Sequence, residues 1–279
     1  MKILVTGSKG QLGKELLKLY SDQNITGVDI DEMDITNAEE TVNLIRELNP
    51  DIVIHAAAMT DVDGCEKNEG AAYKVNTLGT RNVALACQKA NSEMLYVSTD
   101  FVFAGDKDEN YNEFDIPSPL SVYGKSKLEG EKLVKELLNK FYIVRTAWLY
   151  GDGHNFVKTM LSLAENKDSL NIVSDQQGTP TFAKDLAIAI SKIIDSGLYG
   201  TYHVSNSGSC SWYDFAKKIF EIKGIDIVVN PTTAEEFGSL AERPAYSVMD
   251  NFALESQDIY KMREWEEALK DYLVGEKDV

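Results

Sequence analysis

A phenol and an ammonium stand four residues apart in Tyr123-Gly124-Lys125-Ser126-Lys127. If that stretch opens a helix, residues i and i+4 project from one face, so Tyr123 and Lys127 act as a pair. A phenol titrates near ~10 and is a poor acid–base catalyst at neutral pH. A neighbouring ammonium stabilises phenolate and draws that value toward the working range. Ser98-Thr99-Asp100 closes an apolar run, Met94-Leu95-Tyr96-Val97, that reads as a strand. Open α/β sheets place their sites at such strand ends, where a hydroxyl can donate to a carbonyl oxygen as charge develops. Thr99, Tyr123 and Lys127 are thus the candidate catalytic set. Taken alone, Tyr-x-x-x-Lys also describes an ordinary solvated helix face.

The pair gains meaning from Gly7-Ser8-Lys9-Gly10-Gln11-Leu12-Gly13, which follows the apolar run Ile3-Leu4-Val5 and precedes a helical pattern. Between a strand and a helix, these glycines allow a tight turn, close approach of pyrophosphate to the backbone, and close helix packing. The helix N-terminus then aims free N–H groups and its positive dipole at phosphate. Gly7, Gly10, Gln11, Leu12 and Gly13 are read as binding a dinucleotide. Asp29, at the end of the second strand, can accept both hydroxyls of the adenosine ribose and would repel a 2′-phosphate. No Arg or Lys occurs in Ile30-Asp31-Glu32, so NADH is favoured over NADPH. A loop aspartate that caps the next element is the alternative.

The elements that must position these groups alternate along the first half. Strands are expected at Ile3–Val5, Ile25–Val28, Asp51–Ile54, Met94–Val97 and Phe141–Val144. Helices are expected at Gln11–Tyr20, Ala38–Leu48, Gly70–Ala90 and Val122–Asn139. Continuous apolar strands separated by helices indicate an α/β, doubly wound parallel sheet of Rossmann type. From Trp148 onward helices at Phe156–Asn166, Ala183–Asp195, Trp212–Lys223 and Glu264–Tyr272 are separated by short Gly- and Pro-marked segments. Residues 1–147 are read as the NAD(P)-binding domain and 148–279 as a smaller, mixed α/β substrate lobe that hands an element back to the sheet. The tail Gly275–Val279 is expected to be unstructured.

The 279 residues carry 45 acidic against 28 basic side chains, a formal charge of -17. Such a surface repels phosphate backbones and anionic lipid, so nucleic acid and membrane are excluded as partners. Cys65, Cys87 and Cys210 form no C-x-x-C pair, which argues for a reducing compartment. His55, His154 and His203 have no ligand spacing, so no metal is expected. The start, MKILVTG, is a strand and no signal peptide. No run reaches the roughly 20 apolar residues of a membrane span, and the expected location is the cytoplasm.

In this order the elements are those of the extended short-chain dehydrogenase/reductases, and from Met1 to about Leu273 the chain resembles the dTDP-4-dehydrorhamnose reductases. The residues that carry the resemblance begin with Gly10-Gln11-Leu12-Gly13, Ala56-Ala57-Ala58-Met59-Thr60-Asp61-Val62-Asp63 and Asn76. They continue with Ser98 to Phe103, Tyr123 to Glu131, Arg145 to Gly151, Asn155 to Met160, Asp175 to Thr181 and Arg243-Pro244. The resemblance implies that Thr99 orients a sugar ketone, Tyr123 protonates its oxygen, and Lys127 tunes Tyr123 and grips the nicotinamide ribose. It adds Asp34, Ala56, Ala57, Ala58, Asn76 and Ser98 to the cofactor side. It puts Thr99, Asp100, Trp148, Asn155, Asp175, Gln176, Thr181 and Arg243 on the side of a nucleotide sugar, reduced at C4 to dTDP-L-rhamnose. Phe101 and Met59 stand where many relatives have Tyr and His, which bears on sugar fit.

On the residues alone several of these keep a plainer reading. Trp148 could be a core aromatic, Asp175, Gln176 and Thr181 loop and cap residues, and Arg243 a salt-bridge partner instead of a diphosphate clamp. A homodimer is the assembly that the resemblance raises. Two rival activities also stand. One is a nucleotide-sugar epimerase or dehydratase, although Asp100 occupies the place beside Thr99 where dehydratases add a Glu. The other is a non-catalytic regulatory relative, like the methionine adenosyltransferase regulatory subunit, against which the intact Thr99, Tyr123 and Lys127 speak.

Overall fold

Ile3 and Val5 on one face of the first strand, and Leu4 on the other, are all buried, which requires cover on both sides of the sheet. The structure, a computed structural model, describes residues 1–275. Its longer early strands are β1 (Lys2–Thr6), β2 (Asn24–Val28), β3 (Ile52–His55), β4 (Glu93–Thr99) and β5 (Phe141–Thr146). Shorter ones follow: β6 (Leu149–Tyr150), β7 (Ser169–Val173), β8 (Gln177–Gly178), β9 (Thr181–Phe182), β10 (Gly200–His203), β11 (Cys210–Ser211) and β12 (Val228–Thr232). The main sheet runs β2-β1-β3-β4-β5-β10, and every pairing in it is parallel. The strand order reverses between β1 and β3, the switch point outside which ligands of such sheets bind. The edge strand β10 comes from the second half of the chain.

The first-half helices are α1 (Gln11–Leu19), α2 (Ala38–Leu48), α3 (Val62–Lys67), α4 (Glu69–Ala72), α5 (Thr80–Ala90) and α6 (Val122–Leu137). After them come α7 (Phe156–Ala164), α8 (Ala183–Ser196), α9 (Trp212–Lys223), α10 (Ala234–Phe237), α11 (Phe252–Ser256) and α12 (Trp265–Gly275). On one sheet face Leu16 of α1 and Ile190 of α8 pack on Ile3, Val5 and Val144. On the other, Ile45 of α2, Val83 of α5 and Val134 of α6 pack on Leu4, Val53 and Ile143. Each such fully buried side chain contributes roughly 1.5–3 kcal/mol. A third core, with Tyr150, Phe182, Phe215 and Leu269, joins α7, α9 and α12 beyond the sheet.

The stretch expected as one helix over Gly70–Ala90 is α4, a π-helical segment over Tyr73–Gly79, and α5. Such wide turns cluster at functional sites, and this one carries Asn76. The short α3, α10 and α11 were not expected, since they span too few residues to show a period. The unstructured tail expected over Gly275–Val279 falls on residues 276–279, outside the described residues, while Gly275 closes α12. Among the described residues, no helix is long and apolar enough to cross a membrane.

Candidate active site

The glycine loop leaves β1 at the switch point. Gly7 has φ 71°, and a Cβ there would lie 2.7 Å from the Ala57 nitrogen. A Cβ on Gly13 would lie 2.3 Å from the Gly7 carbonyl oxygen, so both contacts demand glycine. Gly10 caps α1 with no side-chain hydrogen bond, and no acidic residue occupies the first turn. The first-turn N–H groups and the positive end of the helix therefore remain available to an anion.

They face a cavity of about 1140 Å³, larger than one drug-sized ligand needs. Its lining includes Gly7, Gly10, Gln11, Leu12, Gly13, Asp29, Asp34, Ala56, Ala57 and Ala58, and also Asp100, Trp148, Asn155 and Arg243. Ser98, Thr99, Tyr123 and Lys127 line the same cavity. Three buried polar atoms in this lining have no hydrogen-bond partner: Gln11 Oε1, Asp100 Oδ2 and Thr146 Oγ1. Buried groups of this kind ordinarily find partners, so the cavity is built for a polar ligand, and a dinucleotide fits the donors at its glycine end.

Asp29 accepts the Lys9 and Ile30 N–H groups, each at 2.9 Å. A carboxylate has about four lone-pair sites, so two stay open for ribose hydroxyls. Lys9 reaches back from the glycine loop to pair with Asp31 and Glu32. The cation at this edge thus comes not from within 30–32 but from Lys9, 22 residues before Asp31. Asp34 accepts from the Thr36 N–H and hydroxyl at 2.9 and 3.0 Å.

Asn76 is buried and does not line the cavity. Its amide accepts from the Met59 N–H at 2.8 Å and donates to the Met59 carbonyl and the Ser126 hydroxyl at 3.1 and 3.0 Å. It ties the segment after β3 to α6 from behind. Ser126 is the middle of the helical turn that carries Tyr123 and Lys127, and Ser121 caps that helix by accepting from the Gly124 N–H at 3.1 Å.

Lys127 is buried. Its Nζ donates to the Val97 carbonyl at 2.7 Å and sits 4.2 Å from the centroid of the Tyr96 ring. Burial pulls its ammonium down to about 7, against the raising effect of Glu131. The expected depression of the Tyr123 phenol by Lys127 is not found. Burial holds the phenol well above its ordinary range, opposed only in part by the Thr99 hydroxyl. A phenol so placed keeps its proton at neutral pH, which suits an acid and not a base. Behind it a closed network holds β4, α6 and β5 in register: Ser98 donates to Glu131 at 2.6 Å and Arg145 grips Glu131 with two nitrogens at 2.9 and 2.7 Å.

The substrate-side readings divide. Trp148 lines the cavity, stacks on Trp212 at a centroid distance of 3.4 Å, and holds φ at 45°. That backbone is an outlier for a bulky residue and is the kind of strain found at sites. Trp212 also lines the cavity and was missed, because its local pattern shows only the capping box of α9 formed by Ser211 and Asp214. Asn155 lines the cavity but spends its amide on Gly151 at 2.7 Å and on the cap of α7. Arg243 lines it too, and donates to Asp63 at 3.2 Å. Against the cost of burial, the Ala241 N–H and Arg243 hold the Asp63 carboxyl below its usual range.

Asp175, Gln176 and Thr181 are not in the lining. Asp175 accepts from the Ala234 N–H at 2.9 Å, at the start of α10. Gln176 is buried, and so is Thr181 of β9, whose hydroxyl donates to the Thr179 carbonyl at 3.4 Å.

Comparison with known proteins places this geometry. The family model described as the RmlD substrate binding domain matches residues 1–277. A dTDP-4-dehydrorhamnose reductase of Aggregatibacter actinomycetemcomitans is 40% identical, over 97% of this chain and 97% of the relative. The crystal structure of a Clostridium acetobutylicum dTDP-4-dehydrorhamnose reductase is 48% identical with a TM-score of 0.98, covering 99% of this chain and 100% of that one. That of a Bacillus anthracis dTDP-4-dehydrorhamnose reductase in complex with NADP is 45% identical with a TM-score of 0.96, again over 99% and 100%.

Proposed function

This chain belongs to the dTDP-4-dehydrorhamnose reductase family, and from that premise we propose that it reduces the C4 ketone of dTDP-4-dehydro-L-rhamnose to dTDP-L-rhamnose at the expense of NAD(P)H. The observation that carries the reading is the meeting of Thr99, Tyr123 and Lys127 with the glycine loop in one cavity. When bound, the nicotinamide supplies the hydride that the ketone carbon accepts. The chain supplies the proton: Tyr123, kept neutral by burial, delivers it to the ketone oxygen as negative charge grows there. Lys127, fixed by the Val97 carbonyl, holds the nicotinamide ribose beside it. Thr99 orients the ketone, Trp148 and Trp212 wall the sugar, and Arg243 meets the diphosphate.

At the other end the α1 N-terminus takes the pyrophosphate and Asp29 the adenosine ribose. NADH is the preferred form, because Asp29, Asp31 and Glu32 crowd the edge where a 2′-phosphate would lie, and Lys9 offsets only part of that charge. The reaction belongs in the cytoplasm, in keeping with three buried, unpaired cysteines. The test is NADH oxidation with dTDP-4-dehydro-L-rhamnose, run beside product analysis. One NADH consumed per alcohol formed is expected. An altered sugar with no net NADH consumption would mean an epimerase, and no turnover at all would favour a regulatory relative.

A further inference from the structure

The Thr99 hydroxyl has one proton, and with Asp100 ionised that proton is already committed. Thr99 Oγ1 accepts from the Phe101 N–H at 3.2 Å and donates to Asp100 Oδ1 at 2.9 Å. An ionised carboxylate can only accept. In this state Thr99 has nothing left to give to a ketone oxygen or to the Tyr123 phenol, although both uses are what its place in the cavity offers.

Asp100 itself is an unusual carboxyl. It is 2% exposed and lines the cavity, and its Oδ2 is buried without a hydrogen bond. Burial penalises the charged form in such a place, and the neighbouring hydroxyls offset only part of that cost, whereas a neutral acid with one O–H to donate is not penalised in this way. Burial pushes its pKa up to about 6, against the hydroxyls of Ser247 and Thr99 and the N–H groups of Asp100 and Phe101. The charged or titratable groups around it are the Tyr123 phenol from α6, which in turn faces Cys65 of α3. Lys127 follows one turn along α6, and Arg243 lines the same cavity while paired with Asp63.

We propose that Asp100 is a positioning residue that works as the neutral acid: its O–H donates to Thr99 Oγ1, reversing the hydrogen bond between them and turning the Thr99 proton toward the ketone oxygen and Tyr123. This rests on the ketoreductase reading above. No bond other than hydrogen bonds changes in this step, and Asp100 keeps its proton through the cycle. The sign follows. A rate that needs neutral Asp100 is full below its pKa and is lost as pH rises through it. In kcat/KM, which reports the free enzyme, the midpoint lies near 6. Ketosugar and nicotinamide covering the carboxyl exclude more water and raise that value, so the midpoint in kcat lies higher.

Two measurements test this. The pH profiles of kcat and kcat/KM are taken for wild type, Asp100→Asn and Asp100→Ala. Above its midpoint the wild-type kcat/KM should fall about tenfold per pH unit. Asp100→Asn, whose amide donates to Thr99 at every pH, should be slower than wild type at its optimum and should lose the decline centred near 6, keeping only a fall that begins near 7, where Lys127 titrates. Asp100→Ala should be slow throughout. Independently of activity, carbon-13 NMR of labelled aspartate in the ligand-free enzyme should show one carboxyl titrating near 6 that is absent from both variants. An Asp100→Asn profile that keeps the wild-type decline overturns the inference, as does an Asp100 carboxyl that titrates near the ordinary ~4. A wild type without turnover sinks the ketoreductase reading and this inference together, whereas turnover with an unaffected profile sinks the inference alone.

Discussion

The two ends of the cavity are built by different means. Around the glycine loop the lining is largely backbone: the loop itself, a helix N-terminus with no side-chain cap, and strand ends at the sheet's switch point. The side proposed for the sugar is lined by side chains brought from far apart in the chain, Trp148, Trp212 and Arg243. Backbone sites are written as local spacing, so a short stretch of chain suffices to find them. Side-chain sites depend on which segments the fold brings together, and local spacing is silent about that.

Changes made at each end should break the molecule in different ways. The largest effect is expected where the ends join. Tyr123→Phe removes the proton donor and should lower kcat by about 10²- to 10⁴-fold with little change in NADH affinity, read by steady-state kinetics and fluorescence titration. Next comes the cofactor end. Gly13→Ala places a Cβ 2.3 Å from the Gly7 carbonyl oxygen, overpacking that costs about 1–3 kcal/mol. If the loop gives way, the NADH dissociation constant should rise about 10- to 100-fold. Smaller still is Arg243→Ala at the substrate end. Losing one charge-assisted contact should raise KM for the nucleotide sugar about tenfold and leave NADH binding alone. An unchanged KM would mean that Arg243 serves only Asp63. Smallest is Asp175→Ala, outside the cavity. It should cost about 0.5 kcal/mol of stability by the loss of one cap bond, seen by thermal melting, with kinetic constants unchanged.

The same contrast explains what could be read in advance. Strands β1 to β5 were legible as continuous apolar runs, and the helices α1, α2, α6 and α9 because each repeats an apolar period over several turns. The π-helical segment around Asn76 was not, since a single wide turn leaves the helical period nearly intact. Thr99, Tyr123 and Lys127 were legible as residue types at a spacing, but their electrostatics were not. Burial depends on what covers them, so the phenol is raised instead of lowered. Asp175, Gln176 and Thr181 lie in a conspicuous motif, yet the fold does not bring them into the lining of this cavity. Trp212 was hidden because nothing in its neighbourhood announces that Trp148, 64 positions earlier in the chain, will stack on it.

The central claim is that one phenol, held neutral, hands a proton to a sugar ketone beside the nicotinamide. A crystal structure with NADH and a dTDP-linked 4-ketosugar tests it most directly. The account predicts the sugar C4 oxygen within hydrogen-bond reach, about 2.6–3.2 Å, of the Tyr123 hydroxyl. A ketone oxygen held elsewhere, with Tyr123 out of reach and water in its place, would contradict it.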